Sequence, residues 1–578
     1  MKTTMAPGKP GQTGSALMLT MLMTGIALAI LAGAMTWSAN STRLTHRSIQ
    51  YTRSIAAAEA ATEKVLSRLN RDYLRGGEKL IQDNLVSYRL TVPGSSDSSY
   101  WNQWEFNDAS GHIGQTYVQS PNASAYVVLA SPYAGLRAVA SLYTVVAHAR
   151  DTAAIQQVVG GILQQVQLAR IPIYQFIMYS SADMEISCGQ NFTVFGRVHS
   201  NGQLYVEPDS RLTFQTGVTA VNNILFQRHP LDTRGSPNGG VVYEGTKTAS
   251  VPAMTIPIGV TNSPEAIRDI IQPPPSGEDR NSPLGRLRFY NQADMVLTVS
   301  DTGMAATSGR FDNFATAIPT NQVTTFVTIT NSFTDAREGK TVVPIDINIG
   351  ALKTWSETNT SLRGPLGSRD VSSIYVLDRR TLPGTSLGAV RVVNGLNLPA
   401  DGLTVATARP LYVLGSYNQT NSANLGTTNT TTTRPASLAA DAVTILSGNW
   451  TDAKSTLSVG SRTAAPTTVN AAILTGVVET TLGKYSGGME NFPRFLETWG
   501  AANLFTYNGS MVKMFPSLYA TNVWGKADVY DPPKRNWAYD VNFNDVTKLP
   551  PLTPSLQKVI RGRWATVAPD KNVVAAVP

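Results

Sequence analysis

Between Ser15 and Trp37 the chain reads SALMLTMLMTGIALAILAGAMTW, without one Lys, Arg, Asp or Glu, and nothing else in its 578 residues comes close to this run. A helix needs roughly 20 mostly apolar residues at about 1.5 Å each to cross a bilayer, and this stretch supplies them, with Thr20, Thr24, Gly25 and Gly33 as its weak points. Whatever follows must therefore hang from a helix that water does not solvate. Downstream of the polar SANST, the sequence RLTHRSIQYTRSIAAAEAATEKVLSRLNRDYL contains no helix breaker. Leu44, Tyr51, Ile55, Ala58, Thr62, Val65 and Leu69 are separated by one step of seven and then by alternating fours and threes, the spacing of one helix face. Ser15 to Tyr73 is thus predicted to be a single rod of roughly 90 Å, apolar all round at first and amphipathic afterwards.

The leader MKTTMAPGKPGQTG carries Lys2 and Lys9 and ends at Gly14, the apolar helix starts at once, and AAAEAATEKVL (Ala56 to Leu66) lies in the amphipathic half. In these features about the first 75 residues resemble a PilX-type minor pilin. The resemblance implies that a prepilin peptidase cuts after Gly14 and leaves Ser15 as the mature N-terminus. Leu17, Leu19, Leu22, Ile26, Leu28 and Ile30 would then face inner-membrane lipid before assembly and other pilin-like subunits after it, with Gly25 and Gly33 permitting close helix approach. Major pilins carry a Glu as the fifth mature residue, where it neutralises a neighbour's amine; this chain has Leu19, as fits minor or tip pilins that lack the acid. Two other readings of the segment remain. One is a removable secretory signal cut at Ala32-Gly33-Ala34, although its core exceeds the usual length of about 7 to 15 residues. The other is an ordinary single-span anchor, whose orientation Lys2 and Lys9 on one side and Arg43, Arg47 and Arg53 on the other leave undecided.

The length allows roughly two to four domains and a sizeable core. The lone cysteine, Cys188, excludes an intramolecular disulfide and is expected to be a small buried apolar residue. Charged residues make up only 15%, and Thr, Ser, Asn and Gly dominate the polar positions, a mix typical of extracellular β structure. The formal charge of +8 is spread without a Lys/Arg run, so it reads as solvated surface and speaks against nucleic-acid binding.

Along the chain, residues 1–14 read as a prepilin-like leader and 15–75 as the transmembrane and amphipathic helix. Residues 76–182 read as a head sheet, with strands expected at SYRLTV (Ser87 to Val92), AYVVLAS and LRAVASLYTVVAHAR. From Met184 the pattern turns repetitive: Phe192-Thr193-Val194 is echoed by Leu212-Thr213-Phe214 at an offset of about 20 residues, which suits one coil of a β-solenoid. A sandwich or an irregular β domain is the other reading of residues 183–485. Within them, about 225–400 has different habits and reads either as an inserted subdomain or as wider loops on the same β scaffold, including a short helix at SPEAIRDIIQ opened by Ser263 and Pro264. The Thr- and Asn-rich loop from Asn418 to Arg434 is expected to be exposed and mobile. Residues 486–578 are rich in aromatics and look similar to the C-terminal regions of large PilX-like hypothetical proteins; Phe492, Phe495, Leu496 and Trp499 stand at helical spacing. Trp499, Trp524, Trp537 and Trp564 read as core and cap more readily than as a sugar-stacking platform.

Chemistry is sparse. His46, His112, His148, His199 and His229 form no ligand motif, and no phosphate-binding or dinucleotide fingerprint appears, so no metal and no cofactor are expected. Gly384-Thr385-Ser386-Leu387-Gly388 matches a nucleophile elbow formally, but Pro383 precedes it and a strand-like run follows where a helix is required, so it reads as a turn. Asp346, between Ile345 and Ile347, reads as a solvated strand residue.

The expectation is an α+β, mainly β chain: a long N-terminal pilin-like helix and a large extracytoplasmic β domain, single-pass in the bacterial inner membrane, and on the cell surface or pilus if assembled. Its role would be structural and not enzymatic, as a minor or tip subunit of a type IV pilus or related secretion pseudopilus. Its partners would be other pilin-like subunits, the peptidase, lipid, and a surface glycan or protein if the subunit is adhesive. The alternative is a membrane-anchored extracytoplasmic binding protein of adhesin type.

Overall fold

The computed structural model describes residues 14–108, 110–119, 123–130, 133, 135–309, 316–329, 331–359, 366–367, 369–500, 503–522, 524 and 529–568. Helix α1 spans Gly14–Asp83, ten residues beyond the expected end, with Gly77 at φ 68° and ψ −164° breaking its regular geometry. Up to Arg53 its side chains are almost all exposed, Leu44 and Tyr51 included; from Ser54 onward Ala57, Ala58, Ala61, Thr62, Val65, Leu69 and Tyr73 are buried. The change marks where the helix meets the rest of the protein. Helix α2 (Leu85–Arg89) stands where a strand was expected, because Tyr88 turns inward and donates its hydroxyl to the Asp72 carboxylate at 2.9 Å. That contact outweighs a weak strand propensity.

Against the second half of α1 lies an antiparallel head sheet of β1 (Trp104–Asn107), β2 (Tyr117–Gln119), β3 (Ala125–Val128), β4 (Arg137–Asp151) and β5 (Gly160–Pro172). The first three pair along one edge of β4, and β5 pairs along the other. Packing is graded by size. Ala57, Ala58 and Ala61 meet Ala147, Ala149 and Ile162, so helix and sheet come close; further along, Val65, Leu69 and Tyr73 meet Tyr143, Val145, Val166 and Leu168. Gly160 is required at the tight end, since a Cβ there would lie 2.6 Å from the amide nitrogen of Ile55.

Beyond the head, short strands stack in parallel. The first ten are β6 (Met178–Ser180), β7 (Met184–Ile186), β8 (Phe192–Val194), β9 (Val198–Ser200), β10 (Leu204–Val206), β11 (Leu212–Phe214), β12 (Val218–Ala220), β13 (Ile224–Leu225), β14 (Val241–Tyr243) and β15 (Lys247–Thr248). Three ladders result: β6, β9, β12 and β15; β7, β10 and β13; β8, β11 and β14. The echo seen in the sequence is a register, with Phe192 beside Leu212, Thr193 beside Thr213 and Val194 beside Phe214. Helix α3 (Pro264–Arg268) follows, with the Ser263 hydroxyl accepting from the Ala266 amide as the sequence implied.

The chain then reappears at the far end and winds back. Its remaining strands are β16 (Met295–Ser300), β17 (Gly303–Ser308), β18 (Ala317–Ile318), β19 (Val327–Ile329), β20 (Phe333–Asp335), β21 (Lys340–Asn348), β22 (Ser373–Asp378), β23 (Ser386–Val393), β24 (Leu403–Thr407), β25 (Leu411–Leu414), β26 (Ala436–Ala440), β27 (Val443–Leu446), β28 (Thr467–Val477), β29 (Pro493–Phe495), β30 (Leu504–Pro516), β31 (Lys534–Tyr539) and β32 (Ser555–Val567). One parallel row runs β16, β22, β24, β26, β28, β30, and a second runs β21, β23, β25, β27, β29. Met511 of β30 pairs with Met178 of β6, so the last turn of the chain sits beside the first and a continuous parallel row extends from β15 to β16. Strands covered on both faces need apolar or small residues throughout, and Leu403–Thr407 and Ala436–Ala440 are buried at every position.

Three expectations change here. Residues 225–400 do not form a separate inserted subdomain, because β13 to β16, β22 and β23 are members of the same ladders and rows. Residues 486–578 are not a separate region either: β29 and β30 continue the rows, while β32 pairs antiparallel with β5 and completes the head sheet. The spacing of Phe492, Phe495, Leu496 and Trp499 is not helical in the fold; a short turn at Met489–Asn491 leads into β29, and Phe495 packs edge-on against Trp499 and Phe505. Trp499 and Trp537 are buried and Trp524 is half-buried, but Trp564 is 47% exposed. The protein is a long N-terminal helix followed by a large β-rich body.

Candidate functional site

The first half of α1 is the most unusual surface on the molecule. Leu17, Leu19, Leu22, Ile26, Leu28 and Ile30 are each about half exposed or more, and a Cβ at Gly25 or Gly33 would meet nothing within 4 Å. Ser15 is exposed, and Gly14 is the first described residue, already helical. The leader, residues 1–13, lies outside the described residues. Among the described residues one helix is long and apolar enough to cross a membrane. The threonines of this run, Thr20 and Thr24 among its expected weak points and Thr36 besides, do not interrupt it. Thr20 donates its hydroxyl to Ala16 O at 3.0 Å, Thr24 to Thr20 O at 2.6 Å and Thr36 to Ala32 O at 2.8 Å, so each polar group is satisfied within the helix, as a lipid environment demands.

Above this segment the helix is clamped to the head. The Ser54 hydroxyl donates to Val158 O at 2.7 Å, and Arg53 approaches Asp151 at 3.4 Å. The apolar run is therefore presented by a rigid support, its far end gripped by the sheet. An exposed apolar surface of this extent requires a cover, either lipid or other protein.

The other candidate residues are scattered through the fold. Ser386 opens β23 after a turn in which its amide donates to Pro383 O at 2.8 Å, and the strand that follows lies inside the second parallel row. His199 is buried between Thr219 and Asn201, at 2.8 and 3.0 Å, and burial pushes its pKa down to about 4. His148 is likewise held low by burial, His112 pairs with Asp108 at 2.9 Å, His229 packs edge-on against Tyr205, and His46 is exposed. No group of three or more metal-ligating side chains gathers among the described residues. Cys188 is buried as expected; burial and the Glu490 carboxylate push its thiol up to about 12, which makes it a poor nucleophile.

Asp346 is not solvated. It is buried and makes two 2.8 Å contacts with the Arg391 guanidinium from the neighbouring strand, and Arg391 also meets Asp452 at 2.7 Å. A second buried charged group joins Glu207 to Arg228 at 3.1 Å and to Arg234 at 3.3 Å, with burial and Glu185 raising the Glu207 pKa to about 8. It pins the loop between β13 and β14 to the stacked strands. Both groups join residues on separate strands and loops, which spacing along one chain does not reveal.

Most of the loop at 418–434 is exposed, as expected, but it is pinned to the body at several points. Asn418 is buried and donates to Arg434 O at 2.7 Å and Asn470 O at 2.8 Å, Thr430 donates to Asp540 at 2.8 Å, and the Gly426 amide donates to Thr468 at 2.8 Å.

No family model and no curated protein matches the chain. Among solved structures, the competence-associated pilin ComZ from Thermus thermophilus is similar over 90% of this chain and 97% of its own, at 11% identity and a TM-score of 0.31. At that identity and score the likeness assigns neither a family nor a role.

Proposed function

We propose that the chain is a pilin-like structural subunit, held in the inner membrane by residues 15–37 with its β-rich body on the extracytoplasmic side, and that it serves as a minor component at or near the tip of a type IV pilus or related pseudopilus. The observation that carries the reading is the division of α1 at Ser54: an apolar exposed half continuous with a half gripped by an antiparallel sheet. Such a helix partitions into lipid first and exchanges lipid for other helices later, so membrane and filament core compete for one surface. Leu19 favours the tip, because it offers no carboxylate to a neighbour's amine, and an unpaired ammonium in an apolar core costs on the order of several kcal/mol. The bulk of the β body favours the same position, which is unconfined from above.

N-terminal sequencing of protein from cells with and without a prepilin peptidase tests the reading: the mature chain is expected to begin at Ser15 only when the peptidase is present. A chain that never begins there removes the pilin assignment and leaves an anchored binding protein. For placement, an epitope belongs at Leu482, which is 74% exposed in a turn, and not in the 418–434 loop, whose hydrogen bonds from Asn418, Gly426 and Thr430 an insertion would disturb. Immunogold at the ends of sheared pili supports the tip; gold along the shaft refutes it.

A further inference from the structure

The helix meets its first charge after the apolar run at Arg43. The uncharged stretch from Ser15 to Thr42 is about 42 Å long at about 1.5 Å per residue, close to the roughly 40–45 Å of a bilayer with its headgroups. If the helix is anchored as proposed above, on which this inference rests, Arg43 stands at the outer headgroup level and Arg47 one turn farther out. At this level the head reaches down beside the helix. From the Ser54 contact, the turn between β4 and β5 descends and encloses a groove of about 1150 Å³ against the helix.

The lining is chemically one-sided. Asn40, Arg43, Arg47 and Ser48 face it from the helix, and Gln156 and Gln157 from the turn; no carboxylate lines it. Among the described residues neither Arg43 nor Arg47 takes part in an ion pair, and the acid above the turn, Asp151, is taken by Arg53. Leu44 and Val158 add apolar wall, and Ile155 at the tip of the turn is 100% exposed. Two guanidiniums and several amide donors suit a phosphodiester, and the apolar wall beside them suits an amphiphile better than a free anion.

We infer that this groove binds the headgroup of an anionic phospholipid, its phosphodiester held by Arg43 and Arg47 and its glycerol end against Leu44 and Val158. The bound lipid fixes the rotation of the head over the membrane before the helix is extracted, with Ile155 touching the interface.

The test uses the full chain in nanodiscs of phosphatidylcholine with about one-third phosphatidylglycerol, bound lipid being counted by native mass spectrometry after release. Phosphatidylglycerol is expected to be retained over phosphatidylcholine, Arg43→Gln and Arg47→Gln each lowering its retention about fivefold, with Arg563→Gln, an exposed cation on β32, changing nothing. A photo-crosslinker at Gln156 is expected to capture lipid. Equal retention of the two lipids, equal loss with Arg563→Gln, or crosslinks to protein alone overturn the groove. Release of the wild-type chain from membranes by alkaline carbonate overturns the anchor and the groove together, whereas a chain that stays in the membrane without lipid preference overturns the groove alone.

Discussion

His199 sits in the first parallel ladder with its ring wholly buried, stacked on Tyr179 at 5.6 Å. Its folded pKa, about 4, lies below the ordinary 6.5, so the unfolded chain binds the extra proton. The stability this position contributes is present above about pH 6.5 and is lost as pH falls toward 4. His199→Gln is expected to flatten the fall in melting temperature across that window, measured by differential scanning calorimetry; an unchanged slope would show that the ring is not the titrating group. Arg391 gives a prediction of a different kind. Its removal leaves Asp346 and Asp452 without their shared cation, one of them buried, and Arg391→Ala is expected to cost about 3–5 kcal/mol in denaturant unfolding. A loss below about 1 kcal/mol would place the pair with ordinary surface ion pairs. Strand alternation was legible around Asp346, but the direction it faced was decided by an arginine 45 residues away in the chain, and a pairing of that separation has no local signature.

Among the elements, those set by local chemistry were readable: the apolar helix, the capped turn at Ser263, the β-branched strands of the head, and the register of about 20 residues between the first stacked strands. Those set by distant partners were not. The 418–434 loop is largely exposed, as its composition implied, yet its amides and hydroxyls find partners at Asn470, Thr468 and Asp540, which only the fold brings near. In the first half of α1, the six apolar positions from Leu17 to Ile30 stand exposed on a helix that the sequence made legible, while the groove above them depends on the β4–β5 turn and could not be read. The helix-to-sheet contact gives the test at this scale. Gly160→Ala places a methyl 2.6 Å from Ile55 N and 2.7 Å from the Ser54 carbonyl carbon, so helix or strand must shift. A loss of about 1–3 kcal/mol is expected in the head, followed through the fluorescence of Trp101 and Trp104, with no change if the two elements were only loosely apposed.

For the molecule as a whole, the decisive pairing is Ser555 with Pro172, where β32 begins opposite the end of β5. The body of residues 173–554 therefore leaves the head and returns to it at neighbouring points in one sheet. Replacing that body with a two-residue hairpin turn is expected to leave α1 and the head sheet folded, read by circular dichroism and by burial of Trp104, with polar substitutions at Leu136 and Ile171 to offset their new exposure. Collapse of the head would mean that the body supports it. The same adjacency has a mechanical meaning. Tension applied through the helix travels along α1 into β4, β5 and β32, and a body fastened at both of its ends to the same short stretch of sheet stands beside that load path. It rides as a pendant mass, able to keep its shape while the strands that carry it are pulled.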